Sequence, residues 1–140
     1  MSHNAWRNAR AMYEKDACAQ AYGIDIIEMN DGYAVLTMQV TPQMLNGHQS
    51  CHGGQLFTLA DTAFAYACNS QGLAAVASGC AIEFIRPAFA GDRLTATAQV
   101  RHQGKQTGVY DIEIVNQKQK TVAFFRGKSH RIGGTITGEA

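Results

Sequence analysis

Apolar and polar positions along this chain mark helical stretches within residues 2–21 and 56–68, and β-leaning stretches over 24–40 and from residue 73 onward. In residues 2–21, Trp6, Ala9, Met12 and Tyr13 fall at helical spacing while Arg7, Arg10, Glu14 and Lys15 supply the outer face, which predicts one amphipathic leading helix stopped near Gly23. Residues 24–29 and 33–40 are rich in β-formers on either side of Asn30-Asp31-Gly32, a tight-turn signature, so they read as a hairpin that ends at Thr41-Pro42. A polar loop then feeds a helix over 56–68, with its stop signal within 69–72. Beyond it, 73–86, 93–103, 109–116 and 121–131 lean to strand, and the short turns between them predict an antiparallel meander. The Gly- and Thr-rich residues 133–140 read as a loose tail. One long helix with about six antiparallel strands predicts an α+β layer in which the sheet curls around the helix, built as a single domain over 1–140 with no internal repeat or linker.

The helix over 56–68 is apolar nearly all the way round, the pattern of a helix wrapped by other elements. Asp61 is the one charge between His52 and Glu83. A carboxylate in such surroundings is costly to ionise without partners, and placements of this kind concentrate at functional sites. A buried, hydrogen-bonded structural acid is the competing explanation.

Composition narrows the class. With 140 residues, 46% hydrophobic and 16% charged, the chain has the make-up of a globular domain. A formal net charge of +1 lacks the strongly basic footprint of a nucleic-acid binder. The charge is uneven: from Arg86 onward there are nine Lys or Arg against four Asp or Glu, and before it three against seven. That distribution suits a small anionic ligand, or solvated outer strand faces. Cys18, Cys51, Cys68 and Cys80 have no framework spacing and no basic-then-apolar leader is present, so a reducing cytoplasm is the expected compartment. The apolar run over 56–68 is too short for a membrane span, and no membrane association is expected.

Four constellations could carry chemistry. His48, Cys51 and His52 supply three metal-type ligands but lack a second ligand pair, and no metal is assigned. Cys51 beside His52 could be a thiolate and its base, although such partners are usually brought together by the fold rather than by sequence adjacency. His52-Gly53-Gly54 at a helix start could be a hinge or cap, or could offer free N–H groups at the positive end of the helix dipole to a carbonyl oxygen. Asp61 is the fourth, and its company favours catalysis. Thioester hydrolysis needs a polarised carbonyl, a positioned and deprotonated water, and a thiolate that leaves at a pKa near about 8.5 with little help. An amide at Gly53, with His52 or Gly54 nearby, could polarise the carbonyl; Asp61 could be the base; Asn46 could orient water or thioester.

The run Asn46…His52-Gly53-Gly54…Asp61, preceded by a helix and hairpin and followed by four strands, resembles the hotdog-fold acyl-CoA thioesterases over essentially the whole chain. The resemblance implies a sheet wrapped around the central helix, a dimer as catalytic unit and commonly a tetramer. It implies hydrolysis of phenylacetyl-CoA and its ring-hydroxylated relatives in phenylacetate catabolism, with no cofactor. Carried onto this sequence, it makes Gly53 the oxyanion-binding amide, Asp61 the acid on the helix and Asn46 the amide-bearing loop residue. His52 and Gly54 are expected to contact substrate. A non-catalytic acyl-CoA-binding module and an acyl-thioester hydratase or dehydratase are the alternatives. The second would want a histidine paired with the acid, and the Asp61 helix has none. Distance adds one expectation: Asp61 lies eight residues beyond Gly53, roughly 12 Å along one helix. A base must come within about 3 Å of its proton. Two such helices set antiparallel across a two-fold axis would bring each Asp61 to the other chain's Gly53, so the site is expected to be shared between subunits.

Overall fold

The leading amphipathic stretch is two helices rather than one. A computed structural model describes residues 2–138, with α1 at Ser2–Tyr13 and α2 at Ala17–Ala21. Asp16 makes the break: its Oδ1 accepts from Ala19 N–H at 3.0 Å as the N-cap of α2, and its Oδ2 accepts from the Tyr66 hydroxyl at 3.1 Å. Helical periodicity could not anticipate this, since an N-cap carboxylate and a distant tyrosine compete with continued helix at one residue.

The hairpin forms as expected, with β1 at Asp25–Asn30 and β2 at Tyr33–Gln39 turning at Asp31-Gly32. A short 3-10 turn at Pro42–Met44 and the polar loop then lead into α3, Gly53–Cys68, capped by Asn69. The remaining strands are β3 Leu73–Phe84, β4 Arg93–Gln103, β5 Thr107–Val115 and β6 Thr121–Thr135. All six join one antiparallel sheet.

The order of strands is β1-β2-β4-β5-β6-β3, which corrects the simple meander. Of the four strands after α3, only β4, β5 and β6 follow one another; β3 crosses to the far edge and pairs with β6. The connector after β3 is held at both ends. Ile85 N–H and Arg86 N–H donate to Val122 O, while Gly91 N–H donates to Val40 O and Val40 N–H to Asp92 O. Crossing three strand spacings of about 4.8 Å needs roughly 14 Å, which a few extended residues at about 3.3 Å each supply. Connector length therefore excluded neither topology.

The apolar helix is wrapped as its pattern predicts: α3 packs on β2, β4, β5, β6 and β3. Leu56, Leu59, Phe64 and Tyr66 of α3 are buried with Leu36, Met38, Leu94, Ile112, Ile114 and Phe125 from the sheet. Phe64 lies against Gly127 of β6, where a Cβ would stand 2.7 Å from the ring. Asn69 ties the end of α3 to β3, accepting from Ala75 N–H at 2.8 Å and donating to Ala75 O at 3.1 Å.

The loose tail expected over 133–140 is corrected for its first part. The strand β6 continues to Thr135, opposite Leu73, and Ile136 N–H donates to Gly72 O at 2.8 Å. Backbone pairing holds these residues in spite of their composition; 139–140 lie outside the described residues. The edges of the sheet differ. α1 packs on β1, whereas β3 has no strand on its outer side among the described residues and carries a single charge, Glu83, over its whole length.

Candidate active site

The loop before α3 is built around one side chain. Asn46 Oδ1 accepts from His48 N–H at 2.8 Å, Ser50 N–H at 3.2 Å and the Ser50 hydroxyl at 3.3 Å. Asn46 N–H donates to Ser50 O at 2.8 Å, and Leu45 bridges to Cys51 across the closed loop. The carbonyl half of the Asn46 amide is thus spent on the loop. Its Nδ2 keeps two donors, with no hydrogen bond to another described residue.

The first turn of α3 is equally specific. His52 is the N-cap, and its Nδ1 accepts from Gly54 N–H at 2.9 Å. His52 O accepts from Gln55 N–H at 2.9 Å and Leu56 N–H at 3.2 Å. Gly53 N–H alone in that turn has no partner among the described residues, and the helix dipole adds partial positive charge there. Because Nδ1 accepts, a neutral His52 carries its proton on Nε2.

Two clefts flank this helix start. Asn46 and Gly53 line one of about 360 Å³ together with Leu56, Phe84, Ile85 and Arg86. His52, Gly54 and Gln55 line a separate one of about 290 Å³ with Met44 and Leu45. The structure therefore brings Asn46 and Gly53 together and sets the side chain of His52 and Gly54 apart from them. The Phe84 ring stands against Gly53, where a Cβ would lie 3.0 Å from Cζ. The Gly54 amide, expected to serve substrate, is already taken by His52.

Asp61 lies in neither cleft. It is half-buried, burial raises its pKa above the usual carboxylate value of 3.8, and it has no hydrogen bond or ion pair among the described residues. Thr58 and Thr62 do not serve it, since their hydroxyls donate back to Gly54 O and Thr58 O. Burial, and after it the Asp61 charge, raises the pKa of Cys68 and of Cys80 on β3, so the carboxylate lies within electrostatic reach of that strand. Among the described residues no hydrogen bond supports the reading of Asp61 as a structural acid.

Burial also bears on the thiol readings. Cys51 is 5% exposed, its thiol is pushed up to about 11, and its Sγ lies 3.8 Å from His52 O. It stays protonated near neutrality and is a poor nucleophile. Among the described residues no group of three His, Cys, Asp or Glu side chains is arranged to hold a metal ion.

A further cleft of about 520 Å³ lies on the outer face of the sheet, away from these groups. Its Asp111 is gripped by Arg126 at 2.6 Å and Arg101 at 2.8 Å, which hold the carboxyl below its usual range, so that carboxylate is already paired. Sequence reasoning missed Phe84, Ile85 and Arg86 as walls of the Gly53 cleft. They arrive from the end of β3, and only an apolar pair before Arg86-Pro87 signalled them.

A model of the thioesterase superfamily matches residues 48–123, which include Gly53 and Asp61. The chain belongs to the thioesterase superfamily. This thioesterase is a hydrolase of thioester bonds with the hotdog fold, a sheet curled around α3. It is 84% identical, over all of both chains, to acyl-coenzyme A thioesterase PaaI of Escherichia coli K12. The solved structure of E. coli PaaI, from the phenylacetic acid degradation operon, superposes with a TM-score of 0.96 at 83% identity, covering 96% of this chain and 98% of that one. A hypothetical thioesterase from Streptococcus pneumoniae TIGR4, solved with coenzyme A, superposes with a TM-score of 0.82 at 32% identity over 87% of this chain and 95% of that one.

Proposed function

We propose that this thioesterase hydrolyses phenylacetyl-CoA and its ring-hydroxylated relatives to the free acid and coenzyme A, in the reducing cytoplasm, at sites shared by two subunits. One observation carries the reading: Gly53, whose N–H is the free amide of the α3 start among the described residues, lines a cleft whose apolar walls are Phe84, Leu56 and Ile85, with Asn46, Ser50 and Arg86 as its polar lining. Apolar walls suit an aryl group, and a lone oriented donor suits a thioester oxygen. The similarity to PaaI supports the same acyl class.

In this reading Gly53 N–H donates to the carbonyl oxygen and Asn46 Nδ2 holds the water or the thioester. Asp61 of the second subunit takes a proton from the water as its oxygen bonds to the carbonyl carbon. The tetrahedral intermediate then expels coenzyme A as its thiolate, breaking the C–S bond, and the proton on Asp61 passes to the products. No metal, cofactor or cysteine takes part.

The β3 edge supports the pairing. A 12-residue strand with one charge and an unpaired flank is a template for a second copy of itself, and antiparallel pairing there would set two α3 helices antiparallel. Asp61, within electrostatic reach of that strand, would then face the other chain's Gly53. A pair of such dimers would make the tetramer.

The test is to mix the purified protein with phenylacetyl-CoA, its 4-hydroxy derivative and straight-chain acyl-CoA esters and follow free thiol. Faster release from the aryl esters is expected. Binding with no thiol release from any ester would leave a non-catalytic acyl-CoA module, and water addition to an enoyl-CoA would indicate a hydratase.

A further inference from the structure

We infer that His52 is a positioning residue: its imidazole, as the N-cap of α3, ties down Gly54 N–H and so keeps Gly53 N–H as the one free donor, without touching substrate. The inference rests on the proposed thioesterase site and deepens it. Three observations carry it. Nδ1 accepts from Gly54 N–H at 2.9 Å, and the ring faces a cleft lined by Gln43, Met44, Leu45, Gly54 and Gln55 rather than the one shared by Gly53 and Asn46. The cap is anchored, because His52 N–H donates to Met44 O at 2.8 Å and His52 O accepts from Gln55 N–H and Leu56 N–H.

Without the cap, two adjacent N–H groups, Gly53 and Gly54, would share the helix end, and two flexible glycines would compete for one oxygen. An oxyanion donor works by being preorganised where charge develops, so a loosened turn costs turnover more than binding. A cap needs an acceptor, not an imidazole. Asn is among the best residues for that position, and Ala among the poorest.

The experiment compares wild type, His52→Ala and His52→Asn by thiol release and by NMR hydrogen exchange of the Gly53 and Gly54 amides in the intact oligomer. In wild type Gly54 N–H exchanges more slowly than Gly53 N–H. His52→Ala accelerates Gly54 exchange by about five-fold, the scale of a lost N-cap. It lowers kcat by about ten-fold or more with KM little changed, within the range seen for a misplaced oxyanion donor. His52→Asn restores both to within about three-fold of wild type, because an Asn cap is equivalent. Equal exchange of the two glycines in wild type overturns the cap. Loss of kcat in His52→Asn as deep as in His52→Ala, with Gly54 protected, shows instead that the imidazole touches substrate. Should His52→Ala fail to fold, the wild-type contrast and His52→Asn decide alone. A wild type that releases no thiol from any acyl-CoA, yet protects Gly54, defeats the function and leaves the cap standing.

Discussion

At the residue scale the informative group is Asp61, the one carboxylate in a wrapped helix, without a partner among the described residues. Burial raises its pKa above 3.8, and the sign of the consequence can be worked out. The folded state binds a proton more tightly than the unfolded chain. The resulting stability is present below the unfolded value and is lost as pH rises through the folded one. Ionised Asp61 therefore costs stability at neutral pH, where the proposed role as base requires it to be ionised. Asp61→Asn is expected to unfold at equal or higher urea concentration than wild type while losing at least about 10²-fold in turnover, the scale of a lost general base. Urea titration and thiol release on the same sample check both halves; wild-type turnover in Asp61→Asn would end the base assignment. The acid limb of kcat/KM should likewise sit above the ordinary carboxylate range. Cys51 provides the contrast, since its thiol is buried and held protonated. Cys51→Ser and prolonged chelation are each expected to leave most activity, whereas activity lost to a chelator and restored by zinc would point to His48, Cys51 and His52.

At the scale of elements, the seat of α3 on the sheet depends on an absent side chain. Gly127 of β6 faces Phe64, which is 1% exposed, at a distance where an added Cβ would stand 2.7 Å from the ring. Tyr110 and Phe125 lie beside Phe64, with ring centroids at 5.7 Å and 6.0 Å, so the ring has little room to retreat. Gly127→Ala is expected to destabilise the fold by about 1–3 kcal/mol, the usual cost of overpacking. Urea denaturation should show a lower midpoint at an unchanged slope. A neutral result would mean that α3 can lift from β6, and the Gly53 cleft with it.

For the whole molecule the prediction concerns two copies. Gly53 and Asp61 lie at different stations of one helix, roughly 12 Å apart by helical rise, too far for one carbonyl to use both. Inactive Asn46→Ala and inactive Asp61→Ala proteins are to be denatured together in equal amounts and refolded. Random pairing makes about half the dimers hybrid, each with one doubly damaged site and one intact site, so roughly a quarter of all sites should recover. A mixture as inactive as its parents, with hybrids shown to form and wild type refolding to full activity, would return Asp61 to its own chain. The same pairing predicts that a Lys introduced at Val76, an exposed position of the bare β3 edge, lowers oligomer mass in sedimentation and activity together.

The sequence by itself determined the parts that depend on neighbours in the chain. The α3 helix, its apolar wrap, the polar loop before it and the candidate residues Asn46, His52, Gly53 and Asp61 all lie within one stretch, where periodicity, capping and turn chemistry act over a few residues. What it left undecided needed contacts between distant residues. Asp16 ends α1 because Tyr66, fifty residues away, draws on the same carboxylate that caps α2. β3 lies beside β6, not β4, because a connector of that length can reach either place and only packing chooses. Which glycine amide stays free was decided by one imidazole turning onto Gly54, and the walls of the cleft by the end of β3 arriving at Gly53. Local rules name the groups able to do chemistry; tertiary structure decides which of them are spent on the fold and which are left for a ligand.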